Sequence, residues 1–202
     1  MVEPGLQVIA SEIRQRWPSM NESERLDFAS NFYSKETWTE NDTEILEMIM
    51  NDGNDRIWSN CALAMLKHPD RNRAVGFLIE RVQRSDSEHP PLNYMQALGM
   101  AGDRRAVPVM RPFYDKYRKA MDQEAETGIP DNLFFGPIPY HAFLSIAGDL
   151  FKIERSKEYA EAIRKYFDHP KEQVRWWAEH ALGTEGPTTA KRNAEYRTKH
   201  KE

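Results

Sequence analysis

Cysteine is almost absent. The 202-residue chain has one, Cys61, which excludes an internal disulfide and fits a reducing compartment. No apolar run approaches the roughly 20 residues that a membrane helix needs. Met1–Ala10 has neither the basic start nor the long apolar core of a secretory signal. A cytoplasmic protein with no membrane contact is therefore expected. Basic residues are not in excess: 28 Lys and Arg stand against 32 Asp and Glu, a net charge of -4, which disfavours a dedicated nucleic-acid binder. The deficit is local, because residues 1–50 hold 4 basic against 10 acidic residues and residues 151–202 hold 12 against 9. No segment alternates with the period of a strand, so the chain reads as all-α. Motifs of hydrolytic, metal or phosphate chemistry are missing too, with no HExxH, phosphate loop or Gly-x-Ser-x-Gly.

Amphipathic helices are plentiful. The first is expected from about Pro4 to Trp17, with Leu6, Ile9, Ala10, Ile13 and Trp17 as its apolar stripe and Pro18 as its stop. Ser19 and Glu22 have the spacing of a capping box. The helix they would open carries Leu26, Phe28, Ala29, Phe32 and Tyr33. Thr39–Asp42 offers further N-caps before Ile45, Leu46, Ile49 and Met50. Companion helices are expected near 73–84, 106–121 and 157–167. Asp122–Pro139 holds too many glycines and prolines to form one helix, and Thr184–Glu202 is a polar tail, either disordered or a last loose helix.

One stretch orders the rest. After Asp168-His169-Pro170, the residues Val174, Trp177, Ala178, Ala181 and Leu182 mark a single buried helix face. Pro170 suits the first helical position and Gly183 a left-handed end. Ala178 and Ala181 are small enough to admit a close neighbour. The pattern recurs with a constant offset of 117: Ile57, Cys61, Ala64 and Met65 fall on Val174, Ala178, Ala181 and Leu182. Worn copies occur at Tyr94–Gly99, where Ala97-Leu98-Gly99 matches Ala181-Leu182-Gly183, and at Tyr140–Asp149, where Ala147-Gly148-Asp149 matches Ala101-Gly102-Asp103. Helix pairs repeating every 30–50 residues are the sign of an α-solenoid, in which stacked units share a core.

The stretch Asp168–Gly183 resembles the second-helix signature of HEAT and related short α-helical repeats (the PBS-lyase-type HEAT class). The resemblance implies an α-α superhelix of about four or five helix pairs. One domain, residues 1–183, is expected, followed by the tail 184–202. It further implies protein binding along a concave face lined by the signature helices, and an inter-repeat polar ladder in which Asp168 and Arg175 match the family positions.

Trp58 and Trp176 flank the buried stripes and point outward, so they are candidate partner anchors, as Trp is enriched in interface hot spots. Each also fits packing against the adjacent repeat, whereas Trp177 lies on the stripe and reads as core. Phe134 and Phe135, in the Gly/Pro-rich loop, either present apolar area to a partner or plug the groove. Cys61 sits in a small core slot. Glu88-His89 and Glu179-His180 are similar to the His-Glu dipeptides of di-iron hydroxylases built on HEAT-like repeats, but in reversed order. No metal, cofactor or catalytic residue is assigned.

The partner-binding set is thus Trp58, Phe134, Phe135, Arg175 and Trp176, and the expected function is non-enzymatic protein binding, in an adaptor or antidote role. The alternative is a nucleic-acid-binding enzyme similar to HEAT-like DNA glycosylases of alkylated bases. It would take phosphate contacts from Arg104, Arg105, Arg111, Lys116, Arg118 and Lys119. A bilin-lyase-like role rests on the repeat alone.

Overall fold

The computed structural model describes residues 10–33, 39–50, 52, 57, 61–85, 91–127, 138–184 and 186–199, without the side chains of 31–33, 50, 123–127, 138–139 and 195–199. These residues form ten α-helices and no strand. The chain divides into two compact units, Met1–Leu78 and Ile79–Glu202.

The first unit contains α1 (Ala10–Arg16), α2 (Glu22–Tyr33) and α3 (Glu40–Met50), and α4 (Arg71–Arg84) begins in it. Its core uses the expected stripes: Ala10, Ile13, Trp17, Ala29, Ile45, Leu46 and Ile49 are all buried. The capping box of α2 lies two residues later than the sequence suggests. Asn21 N–H donates to Glu24 Oε2 at 2.8 Å, and Glu24 N–H donates to Asn21 Oδ1 at 3.0 Å. Ser19 is unavailable, because it sits in a 3-10 turn (Trp17–Ser19) and donates its hydroxyl to Arg16 O. At α3, Asp42 accepts from both the N–H and the hydroxyl of Thr39 at 2.7 Å. Ile57, Cys61, Ala64 and Met65 are fully buried, but the helix expected to join them does not reach Met65. Residues 62–63 form a turn and Ala64–Lys67 a 3-10 helix. Pro69 then ends this 3-10 turn, because it forces His68 into extended backbone with ψ 131°.

The second unit contains α5 (Leu92–Ala101), α6 (Val107–Thr127), α7 (Ile138–Glu154), α8 (Lys157–Arg164), α9 (Glu172–Leu182) and α10 (Pro187–Lys199). Helix α6 runs six residues past Met121, into the stretch that the sequence reads as broken. Helix α7 is the hub. It packs against α5, α6, α8 and α9, and α9 also meets α8 and α10. Its sequence explains this: Ala142, Phe143, Leu144, Ile146, Ala147, Leu150 and Ile153 are buried, so α7 is apolar nearly all round.

Two close approaches bring the helices flanking α7 onto it. A Cβ built on Gly148 would lie 2.9 Å from both Cβ and O of Ala181, and one on Gly99 would lie 2.6 Å from Cβ of Asp149. The small residue at 181 thus has the use expected of it. The two Ala-Leu-Gly triplets, however, are used differently. Gly183 ends α9 at φ 65° and donates to Glu179 O and His180 O, whereas Gly99 is inside α5, which ends on Gly102 at φ 67°.

The tail carries α10, and its start is held by a buried acid. Glu179 Oε1 accepts from Thr188 N–H at 3.0 Å, and Oε2 accepts from Thr189 N–H and Oγ1–H at 2.7 Å each. Burial pushes this carboxyl up, but the hydrogen bonds outweigh it and the net shift is downward.

Candidate functional site

The candidate site lies wholly in the second unit, on the face where α5, α7 and α9 meet. Between them is a pocket of about 290 Å³. Helix α5 contributes Leu92, Asn93 and Gln96. Helix α7 contributes His141, Ser145, Asp149 and Lys152, one per turn along a single stripe, and α9 contributes Trp176, Trp177 and His180. The close approaches at Gly99 and Gly148 hold the three helices in this arrangement.

Asp149 is the most unusual group in it. Its side chain is 5% exposed, and Oδ1 accepts from Lys152 Nζ at 2.8 Å, one helical turn on. Among the described residues no other hydrogen bond reaches the carboxylate, and Oδ2 keeps contact with solvent. Burial pushes the acid up to about 6, and the Lys152 ammonium offsets only part of that rise. His141 is held below its ordinary value by burial, which keeps it neutral at pH 7. Its ring lies 4.9 Å from that of Trp177.

Trp177 is half-buried and faces this pocket, which corrects its reading as a core residue: Val174 and Ala178 fill the interior, and the larger indole turns to the opening. Trp176 also lines the pocket. Its ring stacks on His180 at 5.5 Å and carries the Arg192 guanidinium at 5.1 Å. Arg192 in turn donates to Glu172 Oε1 and Gln173 Oε1, so the indole helps tie α10 to α9.

Arg175 is elsewhere. It donates to the carbonyls of His169 and Pro170 at 2.6 and 2.9 Å, bracing the turn before α9. That turn delays the helix: Lys171 is the N-cap, so Pro170 precedes the helix and is not its first residue. Asp168 is exposed and makes no pair with Arg175, so the expected ladder does not form here. Trp58, Phe134 and Phe135 lie outside the described residues, as do Glu88 and His89.

The basic patch of residues 104–119 is partly engaged. Arg105 pairs with Asp103 at 2.7 Å, Arg111 with Glu158 at 2.7 Å, and Arg118 approaches Glu158 at 3.6 Å. Arg111 also donates to Tyr159 Oη, which donates to Glu154 Oε2, and this network ties α6 to α8. Cys61 is buried, with its thiol pushed up to about 12, and is inert as a nucleophile. No group of three or more potential metal ligands occurs among the described residues, and no helix among them is long and apolar enough to cross a membrane.

Sequence reasoning did not single out Asp149, His141, Lys152 or the wall role of Trp177. One signal was there: an aspartate in the middle of the apolar run Phe143–Ile153, where an ionisable group is costly unless it has a use. No protein-family model, curated protein or solved structure matches this chain.

Proposed function

We propose that the chain is a non-enzymatic protein-binding module whose helices form a HEAT-like α-α superhelix, and that the face shared by α5, α7 and α9 receives its partner. An adaptor or antidote role suits such a module. The observation that carries this reading is the pocket itself. Its three walls are the signature-bearing helices α5, α7 and α9, and two half-buried indoles line it together with a carboxylate that has one donor among the described residues. Half-buried Trp side chains lining a pocket are of the residue type in which interface hot spots are enriched. The nucleic-acid alternative is weakened because Arg105, Arg111 and Arg118, which would have to meet phosphates, already lie against Asp103 and Glu158.

The test is affinity capture with the wild-type chain and with Trp177→Ala, followed by measurement of the purified complex. Loss of 1 kcal/mol or more of binding in the variant, at unchanged helicity, is the result the reading requires. Equal binding by both chains would move the interface elsewhere. Base release from alkylated DNA by the wild type would replace the reading with the enzymatic one.

A further inference from the structure

The chemistry of the pocket specifies what enters it. This step rests on the binding-module reading and names the partner's side chain. Among the described residues no donor reaches Asp149 Oδ2, which keeps contact with solvent although the side chain as a whole is 5% exposed. It is an open acceptor on an otherwise largely desolvated carboxylate, where a charge-assisted hydrogen bond from a ligand donor is stronger than in water. The molecule also shows which donor its indoles tolerate: Arg192 already lays a guanidinium over Trp176 at 5.1 Å. Trp177, with His141 beside it, offers a second ring on the same pocket. On the pocket wall, Gln96 and Ser145 carry neutral oxygen acceptors.

Three classes of ligand compete for such a site. An anion would have to approach the Asp149 carboxylate. A lysine ammonium would bring a compact, strongly hydrated charge next to Lys152. A guanidinium is planar and weakly hydrated, stacks on aromatic rings and spreads five donors over several acceptors. The geometry points to an arginine side chain of a partner protein as the occupant of the pocket, with its guanidinium donating to Asp149 Oδ2 and lying against Trp177. Lys152, with a side chain 40% exposed, is then the competitor, because it holds the other oxygen.

The experiment is an NMR titration of the full chain, following the indole N–H signals of Trp176 and Trp177. The probe is N-acetyl-arginine N-methylamide. The isosteric but neutral citrulline amide, and the corresponding lysine and glutamate amides, serve as comparisons. The arginine probe should saturate and bind roughly tenfold or more tightly than the citrulline probe. Asp149→Asn should weaken it by a similar factor, and Lys152→Met should tighten it several-fold by freeing Oδ1. Several results would overturn the inference: citrulline binding as well as arginine, glutamate binding best, no saturable shift, or weakening by Lys152→Met. If the arginine probe fails while Trp177→Ala still abolishes capture of the partner, the arginine assignment falls and the binding module stands. Failure of both removes both.

Discussion

Asp52 in the first unit and Asp149 in the second are buried alike, with side chains 6% and 5% exposed, yet their surroundings are opposite. Asp52 Oδ2 accepts from Trp17 Nε1 at 2.7 Å and from Arg25 at 3.0 Å, and that guanidinium also lies over the Trp17 ring. In the same unit, His68 contacts Glu47 at 3.3 Å and Arg73 pairs with the same carboxylate at 2.9 Å. These polar groups are used up in holding helices together. Among the described residues Asp149 has one donor, on Oδ1, and the residue lines a pocket. Burial alone therefore does not separate a structural acid from a candidate functional one. The completeness of its hydrogen bonding does.

The contrast can be broken first where the second unit is tightest. Ala181→Glu places a charge where Gly148 and Ala181 touch, and should cost about 3 kcal/mol or more in urea denaturation. A loss below about 1 kcal/mol would mean that this contact is not close-packed.

The same substitution at the two aspartates then gives opposite signs. The Asp149 carboxyl is raised from 3.8 to about 6, so between those values the folded state keeps a proton that the unfolded chain has lost. Stability should fall as pH rises through that window, by an amount on the order of 2–3 kcal/mol, and stay flat above it. Asp149→Asn should recover about 2 kcal/mol at pH 7 and remove the slope, as expected when a site trades stability for function. A thermal melt of the variant at pH 5 and 7 decides this, and destabilisation at pH 7 would count against it. Asp52→Asn should instead lose about 1–3 kcal/mol, because Arg25 and the Trp17 N–H lose a charged acceptor. An unchanged melting temperature would show that this cluster contributes little.

The smallest effect belongs to a local feature. Asn21→Ala removes half of the capping box of α2 and should cost about 1 kcal/mol, visible as faster amide exchange in the first turn of that helix. Ser19→Ala, by contrast, should leave that exchange unchanged.

The sequence by itself determined what depends on near neighbours. Period and composition fixed the all-α class, the buried faces at Ile45, Leu46 and Ile49 and at Val174, Ala178 and Ala181, and the left-handed end at Gly183. Each follows from spacing along one helix or from the φ range open to glycine. Only the tertiary structure decided the rest. Identical Ala-Leu-Gly triplets took different jobs because Gly99 meets Asp149 across a helix interface while Gly183 meets none. Trp177 moved from core to pocket wall, and Glu179 became the cap of α10, through neighbours distant in the chain or on another helix. Asp149 became the centre of the site because three helices brought 12 residues around one cavity, and the desolvation of its carboxylate exists only when they are assembled.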